Sequence, residues 1–170
     1  MLKFKNVLLN DLMKVLENRM TKDEFNNLTL VYSYHNTLKL DYDHVTLEVE
    51  IIDDEFHFNI FNKEDEKEFT VDFSVVTKEY LYEIEVFLFK CNVVSKVYNE
   101  VKSLENFKLN EDDSFSENEL SFTLENKMII VSFSYDEVEY LTIKDLVSNE
   151  RVDYEELDYN EVKSVILESI

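Results

Sequence analysis

Neither glycine nor proline occurs anywhere in the 170 residues of this chain. Proteins ordinarily contain about 7% and about 5% of the two, so the absence restricts every turn. Reversals must be built from Asn, Asp, Ser, Lys and Glu, in turns that mostly avoid positive φ. The absence restricts chemistry as well. Glycine-rich phosphate loops, dinucleotide fingerprints and G-x-S-x-G nucleophile elbows all need glycine where the backbone approaches a ligand or turns sharply. Their exclusion removes the commonest nucleotide-using and hydrolase architectures.

The chain also resembles itself. Residues 38–61 and 120–143 align without a gap. Leu38, Leu40 and Tyr42 match Leu120, Phe122 and Leu124, and Leu47, Val49 and Ile51 match Ile129, Val131 and Phe133. Upstream, residues 14–18 resemble 102–106, and downstream, 77–81 resemble 158–162. A collinear repeat predicts an α+β fold of two tandem related helix–antiparallel-sheet–helix units, each a β-meander of about four strands, packed about a long central helix. The expected units are residues 1–88 and 89–170, sharing a helix over 77–104 within one compact body.

Periodicity places the elements. Val7, Leu8, Leu12, Val15 and Leu16 form a helical stripe within 5–20. Val45, Leu47, Val49 and Ile51 alternate with Thr46, Glu48 and Glu50, the period-two pattern of a half-buried strand. Strands are expected near 28–34, 38–42, 45–52, 56–61 and 68–74, then near 119–125, 128–135, 138–144 and 150–154. Leu81, Ile84, Leu88, Cys91, Val94, Tyr98 and Val101 predict the central helix, capped by Thr77 and apolar nearly all round between Val86 and Val94. Such a stripe suits burial between the two units; the alternative is a homodimer seam. Residues 108–118 (KLNEDDSFSEN) read as a polar linker, and a closing helix is expected over 158–169 with Asp158 as N-cap.

Against 38 acidic residues stand 17 basic ones, a net charge of −21. Two arginines, Arg19 and Arg151, are the only ones, and nothing resembles the basic clusters that grip a phosphate backbone. Direct binding to nucleic acid or to an anionic membrane is therefore not expected, whereas basic proteins are attracted. A hydrophobic content of 45% suffices for a core. Cys91 is the sole cysteine, which excludes an intrachain disulfide and fits a reducing compartment. The basic start (MLKFK) is followed by Asn6, Asn10, Asp11 and Lys14 rather than a signal-peptide core. No run approaches the roughly 18–20 apolar residues of a membrane span, so a cytoplasmic protein is the expectation.

Candidate chemistry is sparse. His35, His44 and His57 lack metal-ligand spacing. Cys91 lies on the apolar helix, where a thiol is inert. The acidic run 110–119 lacks the glycine and the ligand spacing of a calcium loop. Asp53 or Asp54 with Asp65-Glu66-Lys67 only loosely echoes a metal-dependent nuclease. No cofactor, metal or catalytic residue is expected.

The acidic surface itself remains. Glu48, Glu50 and Asp72 fall on outward sheet positions, and Asp53, Asp54, Glu55, Glu64, Asp65, Glu66, Asp136, Glu137 and Glu139 fall at or beside turns. Alternate strand residues are about 6.6–7 Å apart, close to the phosphate spacing along a DNA strand. The charge also exceeds the magnitude of about 2–8 that solubility asks of a small domain. The expectation is a non-enzymatic inhibitor that offers these carboxylates to a basic partner, such as a nuclease or other nucleic-acid-binding protein. Phage anti-defence (anti-CRISPR-like) proteins, immunity proteins and antitoxins share that physics, with or without nucleic-acid mimicry. The alternative is a small acidic chaperone or adaptor binding an apolar client segment; an enzyme of unknown type ranks third.

Overall fold

A computed structural model describes residues 2–34, 36–53, 55–71, 83–110, 114–134 and 137–170. It is α+β, with two antiparallel sheets and four helices among the described residues. By compactness the chain divides into Met1–Leu88 and Phe89–Ile170.

The first unit opens with helix α1 (Leu2–Arg19). Leu12, Leu16 and Met20 are buried, four residues apart on one side of the helix. A short helix, α2 (Lys22–Asn26), follows through a capping box: Glu24 N–H donates to Thr21 Oγ1, and Thr21 N–H donates to Glu24 Oε2. Strands β1 (Leu28–Tyr34), β2 (Thr37–Tyr42), β3 (Val45–Ile52) and β4 (Glu55–Asn62) then form a meander in sequence order. Leu38, Leu40, Leu47, Val49, Ile51, Phe56 and Ile60 fill its buried face.

Helix α3 (Ile84–Val101) carries the chain into the second unit. Cys91, Asn92, Val93, Val94 and Ser95 are all buried, so the helix is covered nearly all round at its middle. Strands β5 (Lys108–Leu109), β6 (Glu119–Leu124), β7 (Lys127–Ser134), β8 (Glu137–Asp145) and β9 (Arg151–Leu157) again run in sequence order, and helix α4 (Val162–Ser169) closes the unit. Leu120, Phe122, Leu124, Ile129, Val131, Phe133, Leu141 and Ile143 are buried. An aromatic chain ties α3 to this sheet: Tyr98 packs on Phe115 with ring centres 4.7 Å apart, and Phe107 packs on Phe122 at 4.9 Å.

The central strands of the two sheets share their details. Ile51 N–H donates to Asn36 O, as Phe133 N–H does to Asn118 O. Asn62 N–H donates to Lys67 O, as Asp145 N–H does to Glu150 O. The β2–β3 and β6–β7 hairpins each turn through two residues, Asp43-His44 and Glu125-Asn126, the leading one at φ 48° and 52° respectively.

Several expectations need correction. Positive φ is not avoided: Asp43, Asp53, Glu66, Asn106, Glu125, Asn149 and Glu156 all adopt it. Tight hairpins need that region whatever residue is present, and each non-glycine residue there costs about 1–2 kcal/mol. Residues 108–118 are not a plain linker. Lys108 and Leu109 pair with Thr123 and Phe122, and Ser114, Phe115 and Glu117 are buried. A single Phe in a polar run has no periodicity to announce its burial. The closing helix starts at Val162, not at 158; the Asp158 carboxylate accepts from Asn160 N–H and closes a turn ahead of the helix. Helix α2 was not anticipated. Of the expected strand over 68–74, the described part contributes an isolated bridge, Phe61 to Glu68; residues 72–74, like the Thr77 cap, lie outside the described residues.

Candidate functional site

The twelve acidic candidates separate into distinct places. Glu48 and Glu50 do lie on the face of β3 opposite the core, but both are half-buried and in mixed company. Glu48 sits opposite Lys39 on β2, 4.0 Å from its ammonium, and opposite Asn59 on β4; Glu50 sits opposite Thr37 and His57. On the same face Lys63 pairs with Asp41 at 3.4 Å. The hollow beside this face, about 290 Å³, is lined by Lys39 and Lys63 as well as Glu48 and Glu66.

Asp53 and Glu55 are exposed at the β3–β4 turn, while Glu64, Asp65 and Glu66 are exposed just past the other end of β4. An eight-residue strand separates these groups by about 23 Å. Asp65 is structural, its Oδ1 accepting from Asn62 Nδ2 and Lys67 N–H. Asp54, Asp72 and Asp136 lie outside the described residues.

Glu137 and Glu139 are exposed at the start of β8. Pairing with β9 brings other carboxylates beside them, because Val138 faces Leu157 and Tyr140 faces Glu155. Glu155, Glu156, Asp158 and Glu161 are exposed around this end. A surface hollow of about 410 Å³ opens here between Glu137, Glu156 and Asp158, floored by Val138, Leu157 and Tyr159. Among the described residues no ion pair holds Glu137, Glu139, Glu155 or Glu156; the Lys96 ammonium lies 5.3 Å from the centre of the Tyr159 ring that lines the hollow. Sequence reasoning missed Glu155, Glu156 and Asp158. The signal was the acidic run after residue 152, but only strand pairing shows that it adjoins Glu137.

The far end of the same hairpin differs. Arg151 Nε donates to Asp153 Oδ1 at 2.8 Å, and Thr142 Oγ1 donates to the same oxygen at 2.6 Å; hydrogen bonding from Thr142 and then Arg151 holds the Asp153 carboxyl below its ordinary range. The amides of Ser148 and Val147 do the same for Asp145, aided by Lys127 at 3.5 Å. Both carboxylates are thereby occupied in fixing the hairpin.

Elsewhere, Cys91 is fully buried, and burial pushes its thiol well above the ordinary range, with Glu117 adding to the rise. His44 contacts Asp43 at 3.5 Å, and among the described residues no three His, Cys, Asp or Glu side chains converge as a metal site. No described helix is long and apolar enough to cross a membrane. No protein-family model, curated protein or solved structure matches this chain.

Proposed function

We propose that this protein is a non-catalytic acidic inhibitor that binds a basic protein and blocks the groove through which that partner holds nucleic acid. The observation that carries the reading is the set of exposed carboxylates at the β8–β9 end, Glu137, Glu139, Glu155 and Glu156, free of ion pairs among the described residues. With a net charge of −21 behind them, they generate a field that draws in a cationic surface and orients it before contact. On this reading Glu48, beside Lys39, and half-buried Glu50, opposite His57, contribute less than Glu137 and Glu139. The same reading takes the two units as copies of one helix–sheet–helix element. The matched turns and hydrogen bonds of their central strands support it.

A second reading, a chaperone or adaptor for an apolar segment, has one observation in its favour. Leu30, Val31 and Tyr34 are each exposed on β1, a strand with no charged residue, though Leu30 and Tyr34 fall on different faces of the sheet.

Affinity capture from host lysate at about 50 and 300 mM salt separates the two, because the Debye length shortens from about 14 to about 6 Å. The inhibitor reading expects one basic protein, held at low salt and released at high salt, whose nucleic-acid binding the purified protein then suppresses. A neutral, salt-resistant client overturns it in favour of the chaperone. A basic partner that binds nucleic acid equally well in the complex removes the inhibitory role.

A further inference from the structure

We infer that the free edge of β9 is a strand-addition site for an extended, lysine- or arginine-rich segment of a partner protein. The inference rests on the proposal that the partner is basic and adds where and how it docks. β9 is the last strand of its sheet and is paired on one side only, by β8. Among the described residues no backbone hydrogen bond reaches its other side. An unpaired row of amides and carbonyls is a template for another strand, and main-chain bonds to such an edge supply affinity while alternate side chains supply selectivity.

The side chains of β9 define what fits. Val152, opposite Ile143, is on the core-facing side of the sheet yet 50% exposed, and half-buried Tyr154 follows it on that side. On the other side stand Asp153, already bound by Arg151, and Glu155, which is not. An added strand would place one row of side chains beside Val152 and Tyr154 and the other beside Glu155. Opposite charges directly across a strand pair attract and like charges repel. A second copy of β9 is therefore disfavoured and a cationic strand favoured. The hollow between Glu137, Glu156 and Asp158 continues past the end of the edge and has room for one long basic side chain. The edge strand β1 of the first sheet offers no such selection, because it carries no charge.

The test uses the intact protein and a short labelled peptide alternating lysine with valine, followed by fluorescence anisotropy at low salt. Two further peptides of the same charge carry N-methyl groups on one or the other alternate set of amides. The expected result is that one methylated peptide binds at least about tenfold more weakly while the other matches the parent. Hydrogen exchange should slow at alternate amides within 151–157. The double variant Glu137→Lys, Glu155→Lys should weaken the parent peptide by about tenfold, and the equally charged control Glu17→Lys, Asp23→Lys, on exposed sites in the first unit, by less than about twofold. If both methylated peptides bind like the parent and no β9 amide is protected, strand addition is wrong although a basic partner remains. If the parent peptide fails to bind while lysate capture yields a salt-released basic protein, strand addition again falls alone. Failure of both experiments removes the underlying reading as well.

Discussion

Beside the first sheet's central hairpins runs β1, seven residues without a charge, with Leu30 57% exposed. In the same place beside the second sheet stands β5, only two residues long, and Phe115 further on is fully buried and bridged to Leu120. At the other margin the contrast reverses. Just past β4 the described chain makes only isolated bridge contacts, such as Phe61 to Glu68, whereas β9 is a full strand with acidic side chains. The β2–β3 and β6–β7 hairpins pair in the same register, and beyond them β7–β8 carries a bulge at Ser132/Phe133 that β3–β4 lacks. A strand with neighbours on both sides is held by its own alternation, because a slip of one residue would turn its apolar row to water. An edge strand has half those constraints, so its length and charge can change while the centre stays the same.

Truncating Phe115 tests that contrast most severely. Phe115→Ala should cost about 3–5 kcal/mol in urea unfolding, while Leu30→Ala, on the exposed edge of the other sheet, should cost less than about 1 kcal/mol. A small effect at Phe115 would mean that the segment before β6 is a linker after all.

Charge gives the next sharpest difference. In the first unit Arg19 Nε donates to Glu85, whose side chain is buried. Arg19→Ala leaves that carboxylate without this donor and should cost about 1–2 kcal/mol. Glu155→Gln, which removes a carboxylate with no cation beside it among the described residues, should be neutral or slightly stabilising because it relieves like-charge repulsion. Equal losses from both changes would contradict the distinction between paired and unpaired regions.

Between the two sheets, high pH should act on the first through Tyr42, while the buried Cys91 thiol of α3 adds its own alkaline loss. Burial, with Glu24 and Asp43 nearby, pushes the Tyr42 hydroxyl up to about 12. Above about pH 10 the unfolded chain loses this proton while the folded chain keeps it, so stability falls as pH rises from about 10 towards 12. Leu124 occupies the matching place in the second sheet and has nothing to titrate. Tyr42→Phe should flatten the alkaline decline in melting temperature; an unchanged decline would remove Tyr42 as its source.

The smallest effect concerns backbone strain within β9. Glu156 holds φ at 53° beside the hollow. Glu156→Gly should raise stability by about 0.5–1 kcal/mol, the relief of left-handed strain less the added freedom of the unfolded chain. Denaturant midpoints that fall instead would show that the Glu156 side chain makes a stabilising contact.

Much of the fold was legible from residue order. Val45, Leu47, Val49 and Ile51 alternate over a strand whose observed bounds, Val45–Ile52, are those expected from the pattern. Cys91 on an apolar helix face announced its burial in the same way. Phe115 did not, because its neighbours Ser114 and Ser116 give it no period. Among the acidic candidates, sequence separated inward from outward positions: Glu48 does lie away from the core. It could not reveal that Lys39 stands across from Glu48, since strand register is a long-range property.

Composition and period, acting locally, determined that this chain is α+β, built on alternating strands and carrying a large excess of negative charge. Neither glycine nor proline was needed for that, because Asp43, Asp53, Glu125 and Asn149 accept positive φ where hairpins demand it. Tertiary structure decided which carboxylates keep a cation beside them and which strand edge lies open. Both depend on residues far apart in sequence, such as Glu137 beside β9 and Arg19 beside Glu85, brought together by the burial of apolar faces.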